Sequence, residues 1–217
     1  MWIVLKRISY PAEIGSRSRD KYGTTLLELA ASRRHESTAR LLLESDGVDP
    51  EEKNNFGKTA LTETVETGHE SIVKLLLESG KVNVNSRDHK DVLMTPALWG
   101  RLSIFKLLLD AGLRECDTKT EGRGMPPLSW AATMGHERVV RLLVDTGRVD
   151  LNLPDNSGHT PLWYAAFRNN ESITKLLLEA DSVDLCSQDK QALLGLAECE
   201  SGKSTLKLLQ EYGIYTH

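Results

Sequence analysis

The sequence predicts an all-α solenoid of stacked helix-turn-helix units joined by β-turn or hairpin tips, on three observations. The quartet Arg40-Leu41-Leu42-Leu43 returns as Lys74 to Leu77, Lys106 to Leu109, Arg141 to Val144, Lys175 to Leu178 and Lys207 to Gln210. Its first leucines, at 41, 75, 107, 142, 176 and 208, lie 34, 32, 35, 34 and 32 residues apart, a period that marks a stacked array. Turn-forming residues recur between these quartets, while apolar residues around them fall at helical spacing. In such an array each unit contacts only its neighbours, and the product is an extended surface with no closed cavity. Function is therefore sought on a surface.

One unit, Asp155 to Leu185, displays the elements in turn. Asp155-Asn156-Ser157-Gly158 is a tip: Gly supplies a positive φ, and Asp or Asn can bond its own backbone. Thr160-Pro161 opens a helix, the hydroxyl placed to accept from an orphan N–H and the proline set where no hydrogen bond is lost. A short helix over Leu162 to Arg168 follows, and Asn169-Asn170 turns the chain. Glu171 to Ala180 is the second helix, with Ile173, Leu176 and Leu177 inward and Lys175 and Glu179 outside. Ser182-Val183-Asp184-Leu185 alternates polar and apolar and runs extended to the next tip. The small pair Ala165-Ala166 lets helices of adjacent units approach closely.

These residues resemble the ankyrin repeat family, whose unit of about 33 residues orders a β-turn, a helix opening with T-P-L-H-x-A, a turn and a second helix. Gly158-His159-Thr160-Pro161-Leu162-Trp163-Tyr164-Ala165-Ala166 follows that pattern, and so do Gly124-Met125-Pro126-Pro127-Leu128-Ser129-Trp130-Ala131-Ala132 with Gly135-His136. Gly57-Lys58-Thr59-Ala60-Leu61 with Gly68-His69, and Gly23-Thr24-Thr25 with Ala30-Ala31 and His35, make two further units. In chain order the resemblance implies a divergent N-terminal cap or repeat remnant at 1–19, where Trp2-Ile3-Val4-Leu5 and Ile8 have the spacing of a second helix. Repeats are then expected at 20–53, 54–87, 88–117, 118–154, 155–188 and 189–217. The third lacks the turn glycine and the Ala-Ala pair, with Met94-Thr95-Pro96-Ala97 where its first helix belongs, so that helix is not secure. The last lacks T-P-L and carries Lys203, Lys207, Gln210 and Glu211 outward, as a capping unit does.

Composition narrows the function classes. At 40% hydrophobic and 27% charged the chain matches folded domains. A net charge of −4, with Lys and Arg spread through every repeat beside Glu and Asp, gives no reason to expect nucleic acid or a membrane surface. Cys116, Cys186 and Cys199 form no C-x-x-C pair and no even framework, which points to a cytoplasmic or nuclear protein with ordinary buried thiols. Asn170-Glu171-Ser172 fits the glycosylation pattern but sits at a helix start. Gly202-Lys203-Ser204 has the tail of a phosphate-binding loop, yet Ala197 stands where the earlier glycine belongs. His35, His69 and His136 recur at one place in three units. Stacked equivalents lie about 10 Å apart, too far for a shared metal with bonds of about 2 Å, so backbone hydrogen bonds at the interhelix turn are expected. No nucleophile has a partnered base at motif spacing. Neither catalysis nor a cofactor nor a metal is expected.

The resemblance implies a binding surface on the turn tips and the exposed side of the first helices, which in ankyrin proteins form a concave groove. Tyr22, Arg33, Phe56, Trp99, Met134, Phe167 and Arg168 are its candidate contact residues, because aromatic residues, Met and Arg are enriched in interface cores and hot spots. Met125, His159, Asn55 and Asn156 map to the same surface, as do His89 and Lys90 of the irregular third unit. The competing reading of Phe56 and Phe167 is that each covers the neighbouring repeat; Trp130 and Tyr164 are assigned to packing between repeats. A monomeric, non-catalytic module binding a protein partner is the expectation. Its alternative is a regulatory or sensing array of a larger multidomain protein, and a third reading, an enzyme with a site in the groove, needs an acid/base pair not found here.

Overall fold

The computed structural model describes residues 18–180 together with 183, 190, 207, 208 and 210–212. The Trp2 to Ile8 run, Cys186, Cys199, the Gly202-Lys203-Ser204 turn and most of the expected last repeat lie outside the described residues. Among the described residues are ten α-helices: α1 Leu26–Ser32, α2 Glu36–Glu44, α3 Ala60–Thr67, α4 Glu70–Glu78, α5 Met94–Trp99, α6 Leu102–Asp110, α7 Pro127–Met134, α8 Glu137–Thr146, α9 Pro161–Phe167 and α10 Glu171–Leu178. They form five helix-turn-helix pairs, with one antiparallel bridge, Arg19 to Thr25, and no strand.

Local chemistry explains where each first helix starts. Thr25, Thr59 and Thr160 accept from the backbone N–H of Glu28, Thr62 and Trp163 at 3.1, 3.3 and 3.2 Å, satisfying one of the orphan donors of the first turn. Pro127 and Pro161 occupy the first turn of α7 and α9. The third repeat does form its first helix, as α5, although Leu93 contributes no side-chain cap. Pro96 is its third residue, where an N–H has no intrahelical partner to lose, so a proline is tolerated there. A left-handed residue closes each interhelix turn: Gly68, Gly100 and Gly135, but Arg34 (φ 59°) and Asn169 (φ 55°) in the first and fifth pairs.

The described residues up to Val92, with Lys106–Leu113, form one compact unit. Within it α1 packs on α2 and α3, and α4 on α2 and α3, burying Leu27, Ala31, Leu61, Ile72, Val73 and Leu76. Residues Leu93–Phe105 and those from Arg114 onward form the second unit. There α7 packs between α5 and α9, and α10 lies on α8 and α9, around Phe105, Leu128, Ala131, Ala132, Leu143, Leu162 and Leu177.

Two of the three recurrent histidines bond backbone at an interhelix turn, and the turn is that of the preceding repeat. The Nε2 of His69 meets the Ser32 carbonyl at 2.9 Å and that of His136 meets the Leu98 carbonyl at 2.9 Å. Both acceptors are orphan carbonyls at the end of the preceding first helix. Asn170 takes the same place in the fifth pair, donating its amide to the Ala132 carbonyl at 2.8 Å. The side chain of the glycosylation-pattern asparagine is therefore already engaged. Cys116 is buried, and burial pushes its thiol pKa up.

Candidate functional site

In the first unit the tips are built by side chains folding back on their own backbone. Asp20 Oδ1 accepts from the N–H groups of Tyr22 (2.8 Å) and Thr24 (2.9 Å), and Asn54 Oδ1 from those of Phe56 (2.8 Å) and Lys58 (3.1 Å). The Thr24 N–H leads in holding the Asp20 carboxyl below its usual range. These turns thrust Tyr22 and Phe56 outward, 49% and 71% exposed, with ring centroids 6.4 Å apart and planes at 27°. The Lys21 ammonium stands 4.8 Å from the Tyr22 ring. Neighbouring tips are clasped together: the Asn55 N–H donates to the Tyr22 carbonyl at 2.9 Å. Gly23 (φ +74°) lies so close beneath that a Cβ there would stand 2.4 Å from Asn55 Oδ1.

Charge on this first face is largely matched. Arg19 pairs with Glu52 at 3.3 Å, Lys53 with Asp88 at 2.7 Å, and Lys58 with both Glu63 and Glu66. Its hydrogen bond to Glu66 is the main reason the Lys58 pKa is raised. Arg33, which caps the end of α1, is exposed and has no ion pair among the described residues.

The second unit presents a different face. Trp99, Met134 and Phe167 are the last residues of α5, α7 and α9, 65%, 43% and 51% exposed. Arg168 follows directly as the exposed cap of α9. Along α9 the spacing of four residues stacks three rings: His159 on Trp163 at 3.7 Å and 17°, Trp163 on Phe167 at 4.8 Å and 9°. Tyr164 holds the column to its own tip, its hydroxyl donating to Asp155 Oδ2 at 2.6 Å while Asp155 Oδ1 accepts from Ser157 (2.8 Å) and His159 (2.9 Å) N–H groups. Burial, with the Asp155 charge beside it, pushes the Tyr164 pKa up to about 12. Burial raises the Asp155 pKa too, but the Tyr164 hydroxyl and the two N–H groups outweigh it and hold its carboxyl below the usual range.

All seven candidate contact residues are thus exposed, Tyr22, Arg33 and Phe56 on the first unit and Trp99, Met134, Phe167 and Arg168 on the second. Two other assignments change, those of Met125 and His89. Met125 is buried because its place before α7 points inward, and so is His89, whose ring bonds the Asn83 carbonyl (2.9 Å) and Thr59 Oγ1 (3.0 Å). Tyr164 is buried and its hydroxyl bonds Asp155 of its own repeat. Asn156, like Asn55, uses its polar groups to clasp the tip before it, N–H to the Arg123 carbonyl at 2.9 Å and amide to the Gly122 carbonyl at 2.8 Å. Sequence reading missed the His159-Trp163-Phe167 column, whose i, i+4, i+8 spacing was its signal. It also missed Leu41, 54% exposed where the equivalent Leu75 is 7% exposed, a difference with no local sequence signal.

A shallow open depression between the starts of α8 and α10 is lined by Gly135, Glu137, Asn170, Glu171, Ser172 and Ile173. Glu137 there pairs with Arg141 at 2.9 Å and Asn170 with the Ala132 carbonyl. No group of three or more His, Cys, Asp or Glu side chains is placed to hold a metal ion among the described residues. None of the described helices is long and apolar enough to cross a membrane.

A family pattern described as Ankyrin repeats (3 copies) matches residues 30–119 and 93–189. The crystal structure of the ankyrin repeat protein EF0377 is similar in fold, with a TM-score of 0.72 at 23% identity, covering 82% of this chain and 91% of that one. Among curated proteins no sequence matches.

Proposed function

The chain belongs to the ankyrin repeat family, whose members are generally protein–protein interaction modules, and on that premise we propose that it is a non-catalytic module binding a protein partner through its tips and first-helix faces. The distribution of exposed apolar side chains carries this reading. Of seven large hydrophobic residues exposed among the described residues, Tyr22, Phe56, Trp99, Met134 and Phe167 lie on tips or first helices, leaving only Leu41 and Tyr212 elsewhere. Tyr22 and Phe56 stand on hydrogen-bonded turns and Trp99, Met134 and Phe167 on helix ends, so little backbone ordering is left to pay when a partner covers them. Arg33 and Arg168 add donors that no carboxylate engages among the described residues.

The test uses the purified chain as bait in a lysate of its source cells, beside a variant carrying Arg33→Ala, Phe56→Ala, Met134→Ala and Phe167→Ala. Proteins retained by the native chain and lost by a variant with unchanged circular dichroism support the reading. Capture of the same set by both chains sinks it.

A further inference from the structure

Deepening that reading, and resting on it, we infer that the second unit's first-helix face docks an acidic peptide segment carrying aromatic or branched apolar side chains. The chain is 27% charged, yet α5, α7 and α9 contain no charged residue at all. In the first unit α3 does, holding Glu63 and Glu66 toward solvent, while the one charged residue of α1, Glu28, is buried. Surface helices normally direct charge outward, so an uncharged exposed face is one that a partner covers. Trp99, Met134 and Phe167 are the side chains this face leaves in solvent. Trp163, held between His159 and Phe167, gives it a rigid floor that has little rotamer freedom left to lose on binding.

Charge bordering the face sets the sign of the partner. Arg168 follows α9 directly and Arg123 stands on the tip before α7, both exposed. Neither has a carboxylate at ion-pair distance among the described residues. Cations on the second helices of this unit, by contrast, are matched one turn away, Arg141 by Glu137 at 2.9 Å and Lys175 by Glu179 at 3.8 Å. The tip carboxylate nearest in sequence to these arginines on one side, Asp155, is buried and engaged by the Tyr164 hydroxyl, while Glu121 is exposed beside Arg123. Two guanidinium groups with no ion pair among the described residues, at the rim of an apolar patch, complement carboxylates that flank an apolar anchor and disfavour a basic segment. A nucleic acid is disfavoured by the net charge of −4 and by the absence of a basic stripe.

The experiment selects binders from a displayed library of random twelve-residue peptides on the immobilised chain. Recovered peptides are expected to combine Asp or Glu with Trp, Phe or Leu. One such peptide, synthesised, loses about tenfold or more in affinity with Phe167→Ala and with Arg168→Glu, and weakens as salt rises. Lys74→Glu on α4 of the first unit, away from the tips and an equal change in net charge, leaves its affinity unchanged. A second selection on the Arg168→Glu chain recovers more basic peptides. Met134→Ala is the reserve variant should either substitution lower the thermal midpoint. Neutral or basic consensus peptides, or an equal loss with Lys74→Glu, overturn the inference. Peptides that depend on Tyr22 and Phe56 instead overturn it while leaving the interaction-module reading intact. Recovery of no peptide sensitive to any of the seven candidate residues removes both.

Discussion

His89→Ala tests whether a buried histidine rebuilds the tip that the third repeat lacks. Its ring is 1% exposed and bridges two repeats of the first unit. The Asn83 carbonyl can only accept, so Nδ1 donates to it at 2.9 Å, while Nε2 pairs with the Thr59 hydroxyl at 3.0 Å and lies 3.7 Å from Glu51 Oε2. Thr59 Oγ1 in turn accepts from the Thr62 N–H at 3.3 Å, so the ring is coupled to the cap of α3. Truncation to alanine leaves a carbonyl and a hydroxyl short of a partner, each costing about 1–3 kcal/mol when buried, offset in part by water entering the vacated volume. The expected loss is about 2–4 kcal/mol. His89→Phe keeps most of the volume and removes both bonds, and should cost a similar amount if hydrogen bonding dominates. The assay is guanidinium denaturation followed by far-ultraviolet circular dichroism at constant pH, comparing midpoints at equal slope. A loss under about 1 kcal/mol for both variants would refute the bridging role.

Gly124→Ala should destabilise by about 2 kcal/mol or more, since φ is +66° and a Cβ would lie 2.2 Å from Asn156 Oδ1; a chain unfolding at the native midpoint disproves the tip clasp. Tyr164→Phe removes the 2.6 Å bond to Asp155 and is expected to cost about 1.5–3 kcal/mol, with the exposed column losing rigidity visible as tryptophan fluorescence change. Glu28 is buried with Oε2 unpartnered, and desolvation raises its pKa. Because the folded state then binds the proton more tightly than the unfolded chain, this carboxyl favours folding at low pH and that contribution is lost as pH rises through the folded pKa. Glu28→Gln is therefore expected to raise the thermal midpoint at neutral pH, with the gain shrinking towards pH 4; an equal gain at both pH values contradicts the desolvation account.

Period, pair order and helix starts were legible in the chain because their signals are local and repeated. Thr25, Thr59 and Thr160 cap their own helices, and Gly68, Gly100 and Gly135 supply left-handed turns wherever they stand. Repetition, together with the ankyrin resemblance it carried, singled out the tip and first-helix positions, so Tyr22, Phe56, Trp99, Met134 and Phe167 could be named as outward-facing, and all five are exposed. Cover was a different matter. Met125 and His159 hold equivalent places before their helices, yet Met125 is buried and His159 stacks on Trp163. Leu41 and Leu75 open the same quartet with opposite exposure. His69 reaches Ser32, and Asn156 reaches Gly122, 37 and 34 residues back. A repeat's own sequence sets its backbone through hydrogen bonds spanning a few residues, whereas the burial and bonding of its side chains depend on the neighbouring unit some 30 residues away. Only the tertiary structure brings those two stretches into contact, and so only it decided which side chains were left for a partner.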